Sequence, residues 1–120
     1  MTKEVRDALT KAGIQVDEAL ERLMGSESLL ERLLKKFLDD PSFPELSAAL
    51  AEGRKEEAFR AAHTLKGVCG NLSITRLERL VGRQVELLRD GRDWEGAEAL
   101  QPEVAAAYQQ AREAIEQKLA

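Results

Sequence analysis

Apolar residues recur at intervals of three and four along most of the chain, which is the spacing that places them on one face of an α-helix. No run alternates apolar and polar residues as strands do, and only three prolines interrupt the pattern. The sequence therefore predicts an all-α fold with seven helical segments, which are Val5 to Ala12, Val16 to Met24, Leu29 to Leu38, Phe43 to Leu50, Glu56 to Leu72, Ile74 to Leu88 and Trp94 to Leu119.

Signals for helix ends agree with these segments. Glycine ends helices readily because it adopts the left-handed conformation, and four glycines follow segments: Gly13, Gly25, Gly53 and Gly91. Side chains that accept hydrogen bonds from first-turn amides precede or open several segments: Asp17, Ser28, Ser42 and Asp93, with either Ser73 or Thr75 at the sixth. Pro102 lacks an amide hydrogen, so a kink or a restart is predicted near residues 100–102.

The connections between segments are short, which favours neighbouring helices that run in opposite directions. We therefore expect a single domain over residues 1–120, an antiparallel four-helix bundle with short N-terminal helices.

Charge and composition exclude several kinds of partner. The 18 basic and 22 acidic residues are interleaved and give a net charge of −4, which favours neither nucleic acid nor an anionic membrane.

No apolar stretch reaches the roughly 20 residues of a membrane span, and the first residues lack the apolar core of a signal peptide, so we expect a cytoplasmic chain. One Cys and one His cannot form an internal disulfide or a Cys/His zinc cluster.

The fifth segment carries the chain's only histidine. On a helical wheel its apolar stripe is formed by Ala58, Ala62, Leu65, Cys69 and Leu72. His63 lies about 140° from the centre of this stripe, in the same sector as Lys66, Gly67 and Gly70. The histidine is therefore predicted to face away from the core.

The residue types in that sector suit one kind of chemistry. An accessible imidazole is largely uncharged near pH 7 and is a nucleophile, and the Lys66 ammonium one turn later can neutralise phosphoryl oxygens. Glycine inside a helix costs about 1 kcal/mol relative to alanine, so Gly67 and Gly70 suggest a surface kept open for a macromolecule, although close helix packing is the other explanation. The pattern predicts a phosphoryl acceptor presented to a protein partner.

The sequence His-Thr-Leu-Lys-Gly at 63–67, followed by Gly70-Asn71-Leu72, resembles the phosphoacceptor motif of histidine-containing phosphotransfer (HPt) domains. The stretch from Ala19 to Phe37 and the spacing through Leu77 and Leu80 are also similar, so the resemblance covers residues 15 to 119. It implies a helical bundle whose exposed histidine accepts a phosphoryl group from a receiver-domain phospho-aspartate or a kinase and passes it to another receiver aspartate.

The resemblance also implies residue roles. His63 is the acceptor through Nε2, Lys66 stabilises phosphoryl charge, and the residues expected to dock the partner are Phe59, Arg60, Gly67, Gly70, Leu20 and Leu23. Phe59 packing under the N-terminal helices is the alternative for that residue, and Leu20 and Leu23 also fit a core stripe. Receiver domains, a hybrid histidine kinase or both are the expected partners. No cofactor is expected here, because the magnesium belongs to the receiver, and the chain is a carrier without turnover of its own.

Two positions depart from the family pattern. Many members have glycine where this chain has Ser73, and members often have Glu or Gln twenty-two residues past the histidine to hold its Nδ1. That second position is Val85, which fits an apolar seam, and its neighbours are Gln84 and Glu86. Gln84 is the candidate to orient His63 if the helix is rotated slightly.

Two alternatives to a relay intermediate stay open from the sequence. One is a noncatalytic helical adaptor that binds receiver or kinase domains without phosphotransfer. The other is an HPt segment of a larger histidine kinase, including the chemotaxis type. A monomer is expected, although the apolar face of the first helix, which includes Val5 and Leu9, offers a surface for pairing with another chain.

Overall fold

A computed structural model describes residues 1–119, which form seven α-helices and a single 3-10 turn at Arg89–Gly91. The helices are α1 (Lys3–Lys11), α2 (Val16–Arg22), α3 (Glu27–Phe37), α4 (Ser42–Ala51), α5 (Lys55–Asn71), α6 (Thr75–Leu88) and α7 (Trp94–Lys118). The all-α prediction is confirmed, and every predicted segment corresponds to a helix whose ends differ by at most two residues.

Helices α4 to α7 form the bundle, and each packs against the next along the chain. The bundle is closed between α4 and α7, where the Phe43 ring stacks on Tyr108 with centroids 3.9 Å apart and Gln101 Nε2 donates to Ser47 Oγ at 2.9 Å. Helix α1 packs on α7 and α2, so the N-terminal helices cover one end of an elongated molecule of 43 × 24 × 20 Å.

The apolar face of α5 lies in the middle of this bundle. The predicted stripe is confirmed, since Ala58, Ala62, Leu65 and Cys69 are fully buried. Burial also raises the pKa of the Cys69 thiol, which disfavours the reactive thiolate. Cys69 is therefore a core residue.

Several predicted helix caps are wrong. Helix α3 begins two residues earlier than expected because the Ser26 hydroxyl accepts from the Leu29 amide at 3.3 Å, which puts Ser28 inside the helix. The N-caps of α2, α4 and α6 are Gln15, Pro41 and Ile74, not Asp17, Ser42 or either Ser73 or Thr75. The Asp93 cap is confirmed, since its Oδ1 accepts from the Gly96 amide at 2.9 Å. The four helix-ending glycines are confirmed by positive φ angles.

Of the kink or restart predicted near residues 100–102, the restart is wrong, because α7 continues through Pro102. Proline leaves the carbonyl of residue Glu98 without its helical donor. Both Pro102 and Glu98 are exposed, so water can hydrate that carbonyl. None of the helices within residues 1–119 combines the length and apolar character needed to cross a bilayer.

Candidate functional site

Helix α5 presents His63 on its exposed side, opposite the buried stripe, as the sequence predicts. Arg60, Lys66 and Gly67 are exposed on the same helix, and Gly70 is half-buried. The structure therefore brings these five residues together on one continuous surface. This surface is referred to below as the His63 face.

The imidazole of His63 has an aromatic neighbour one turn earlier. The rings of Phe59 and His63 are 6.0 Å apart between centroids and tilted by 32°. Among residues 1–119, no side chain or backbone group forms a hydrogen bond with the imidazole. Phe59 packs against the core, and its neighbour on the outer side is Arg89, just beyond α6, whose guanidinium lies 5.2 Å from the centroid of the phenyl ring.

Lys66 lies across the neighbouring helix α6. A Cβ built at Gly82 would be 3.7 Å from Lys66 Cε, so the absence of a side chain at Gly82 leaves room for the lysine stem. Glu86 lies one turn further along α6 and accepts from Arg89 at 3.2 Å. The pKa of the Glu86 carboxyl is lowered, first by its hydrogen bond with Arg89 and also by the charges of Arg89, Arg92 and Lys66. Cations therefore outnumber carboxylates on this flank of the His63 face.

The two glycines of the motif have different surroundings. A Cβ at Gly67 would meet no atom of residues 1–119 within 4 Å, so no contact within this part of the chain requires a glycine there. A Cβ at Gly70 would lie 2.8 Å from Glu78 Oε2, so Gly70 gives space to a side chain of α6. Gly70 therefore faces the end of the Glu78 side chain, whereas Gly67 leaves an open patch one turn from His63.

Gln84 does not orient His63, and that prediction is wrong. Its side chain is fully buried and points to α7, where Nε2 donates to the Ala97 carbonyl at 3.1 Å and to Gln101 Oε1 at 2.8 Å. Val85 is also fully buried, in agreement with its place in the apolar seam. The rotation of α6 that would turn Gln84 towards His63 would therefore expose Val85 and break two hydrogen bonds.

An apolar groove of about 640 Å³ lies on the other flank of α5. Leu23 just beyond α2, Leu33 from α3 and Val68 from α5 contribute to its lining, with Lys36, Asp39 and Asp40 at the polar side. Leu20 is half-buried and does not line the groove. Met24, next to Leu23, is 96% exposed, and sequence reasoning did not single it out. An apolar surface therefore continues from α5 onto α2.

Ser73 fastens α2 to the turn between α5 and α6. Its hydroxyl donates to Glu18 Oε1 at 3.0 Å and accepts from Arg22, which also donates to Glu18 at 2.8 Å. The Ser73 carbonyl accepts from the Gln15 amide at 2.8 Å. Ser73 has a φ of 54°, a conformation that costs a non-glycine residue about 1 kcal/mol or more. Ser73, at the position where glycine was expected, therefore supplies hydrogen bonds that hold α2 in place.

We expect Ser73→Ala to lower the free energy of unfolding by about 1 to 2 kcal/mol, because Ser73 is fully buried and the substitution removes its hydrogen bonds while keeping the strained backbone. Ser73→Gly should cost less, because glycine adopts a positive φ without strain. Urea denaturation of the two variants measures the difference. A glycine variant less stable than the alanine variant would contradict this account.

Comparison with known protein families gives one match. A family model described as Hpt domain matches residues 29–117, which is most of the chain and includes the whole of α5 and α6. The match begins within α3, so Leu20 and Leu23 lie outside it. Searches of curated proteins and of solved structures found no match.

Proposed function

The chain belongs to the Hpt domain family, whose members carry out histidine phosphotransfer in phosphorelays with receiver domains and histidine kinases, and we propose that it is a phosphorelay intermediate. In this proposal His63 accepts a phosphoryl group on Nε2 from a receiver phospho-aspartate or a kinase and passes it to another receiver aspartate. The observation that carries the proposal is the chain's one imidazole, exposed on a helix whose opposite face is buried in the bundle.

The transfer needs little chemistry from this chain. Neutral imidazole with its proton on Nδ1 attacks phosphorus through Nε2, so that a P–N bond forms as the P–O bond to the aspartate breaks. The aspartate leaves as a carboxylate with the bonding electron pair, and the onward transfer is the reverse reaction. The magnesium that neutralises the phosphoryl charge during transfer belongs, in this proposal, to the receiver.

The receiver is proposed to dock over the His63 face. Gly67 supports this, because the patch above it is open, and the exposed Arg60 lies two turns earlier on the same helix. The apolar groove and the half-buried Leu20 and Leu23 extend the docking surface onto α2. Polar and apolar contacts would then lie on opposite sides of the transferred group, which fixes the orientation of the partner.

The experiment that tests the proposal is incubation with a panel of phosphorylated receiver domains. Mass spectrometry should find a phosphate on the peptide that contains His63, and the phosphate should be stable in base and labile in acid. A hybrid histidine kinase with ATP serves as a second donor. If no receiver or kinase labels His63 under conditions in which a known relay protein is labelled, the proposal is wrong.

Lys66→Ala should slow transfer about 10- to 100-fold without unfolding the bundle. The reason is that a charge-assisted contact with the phosphoryl oxygens is worth about 1.5 to 3 kcal/mol, while the exposed lysine packs only its stem on α6. Rapid-quench transfer rates measure the effect. Lys55→Ala, the same change at the start of α5, is the matched control and should leave the rate unchanged. A normal rate for Lys66→Ala would remove the role assigned to this residue.

A further inference from the structure

Within the described part of the chain, residues 1–119, the His63 side chain lacks the polar partner expected to fix its orientation. Helices α5 and α6 are paired so that Phe59 meets Arg89, Lys66 meets Gly82, and Gly70 meets Glu78. The same antiparallel register puts Val85 opposite His63, and Val85 has no hydrogen-bonding group and is fully buried. An exposed imidazole without such a contact samples several χ1 and χ2 rotamers, and selecting one of them for a reaction costs entropy.

Phe59 is the side chain that the structure places against this imidazole. The two rings lie 6.0 Å apart and are tilted by 32°, within the range of favourable ring contacts. Phe59 is itself half-buried and packs against the core, so its ring cannot follow the motion of the imidazole.

Arg89 restrains Phe59 from the α6 side. Its guanidinium lies 5.2 Å from the centroid of the phenyl ring, a cation–π distance, and it donates to Glu86 at 3.2 Å. Arg92 contacts the same carboxylate at 3.6 Å but is not stacked on the ring. The phenyl ring therefore lies between the bundle and the Arg89 guanidinium, and Glu86 binds that guanidinium.

We propose that Phe59, held by Arg89, is a positioning residue that orients the His63 imidazole for phosphoryl transfer. The proposal rests on the proposed function. It changes the role of Phe59: from the sequence this residue was expected to contact the partner, and here it contacts the acceptor His63. A ring contact in this chain takes the place of the hydrogen bond that a polar residue at position 85 would make.

The test separates orientation from docking by using phosphoramidate, a small donor that needs no protein partner. In that reaction the P–N bond of phosphoramidate breaks, ammonia leaves, and a P–N bond to His63 Nε2 forms. Phe59→Leu keeps an apolar side chain but removes the ring, and Phe59→Tyr keeps the ring. We expect Phe59→Leu to slow labelling about 3- to 10-fold, and Phe59→Tyr to restore the rate.

NMR on the unphosphorylated protein gives a second readout. The Hα–Hβ couplings of His63 should indicate one dominant χ1 rotamer in the wild type and in Phe59→Tyr, and averaged rotamers in Phe59→Leu. Arg89→Gln should shift the couplings part of the way, whereas Arg92→Gln, which removes the other arginine bound to Glu86, should not.

Averaged couplings in the wild type, or wild-type couplings and labelling in Phe59→Leu, would overturn the proposal. A Phe59→Tyr variant that behaves like Phe59→Leu would do the same. These results are independent of the relay role. If receivers fail to label His63 while the couplings respond as expected, the proposed function is wrong and the orienting contact stands.

Discussion

His63→Gln is expected to abolish phosphoryl acceptance completely while leaving the bundle folded. Glutamine is polar and tolerated in helices, and it has no nucleophilic ring nitrogen to carry the group. Because the wild-type side chain is exposed, the free energy of unfolding should change by less than about 0.5 kcal/mol. The measurement is the amount of acid-labile phosphate after incubation with phosphorylated receivers, with circular dichroism melting curves for stability.

The same variant separates a relay protein from a noncatalytic adaptor. An adaptor uses the His63 face for binding only, so His63→Gln would leave both partner affinity and signalling essentially unchanged. A relay intermediate would keep its partner affinity, because the surface around position 63 is intact, but would lose all transfer. Retention of acid-labile phosphate on the variant would mean that another residue is the acceptor.

Gly67→Leu is expected to reduce transfer from a receiver by at least about 100-fold, because the side chain would project into the space that a docked partner must occupy. A Cβ at this position meets no atom of the described residues 1–119 within 4 Å, so the bundle itself should accommodate the new side chain. Replacing a helix-interior glycine should even raise stability, by about 1 kcal/mol for Gly67→Ala. Thermal melts of the Gly67 variants measure their stability. Transfer rates and receiver affinity measure the loss of docking.

Two controls test whether the loss of transfer in Gly67→Leu comes from blocked docking of the partner. Labelling of Gly67→Leu by phosphoramidate should be close to normal, because a small donor does not need the docked geometry. Glu103→Leu, which adds the same side chain to an exposed position on α7, should leave transfer from receivers unchanged. Normal transfer by Gly67→Leu would show that the partner does not cover this patch.

The position of each helix in the sequence and its buried face could be predicted, because helical periodicity is a property of one segment. The apolar spacing along α5 is sufficient to bury Leu65 and Cys69 and to expose His63, Lys66 and Gly67. The local motif at 63–67 then indicates the family, and the family model agrees. These conclusions need no knowledge of any neighbouring helix.

The contacts between helices required the tertiary structure. A helical wheel gives the angle between residues of one helix, but the rotation and register of two packed helices depend on how all their side chains fit together. For this reason the sequence could not show that Gln84 points to α7 or that Arg89 stacks on Phe59. The distinction between Gly67, which faces open space, and Gly70, which accommodates Glu78, has the same origin.

The hydrogen bonds that hold α2 in place are the clearest example of contacts between residues far apart in the sequence. Ser73 joins Glu18 and Arg22 although more than fifty residues separate Ser73 from either of them along the chain. No local pattern encodes such a contact, because it exists only when the turn between α5 and α6 and the helix α2 have both reached their places in the fold. The sequence alone therefore determined the helices and the exposed histidine, and tertiary packing decided which side chains surround that histidine.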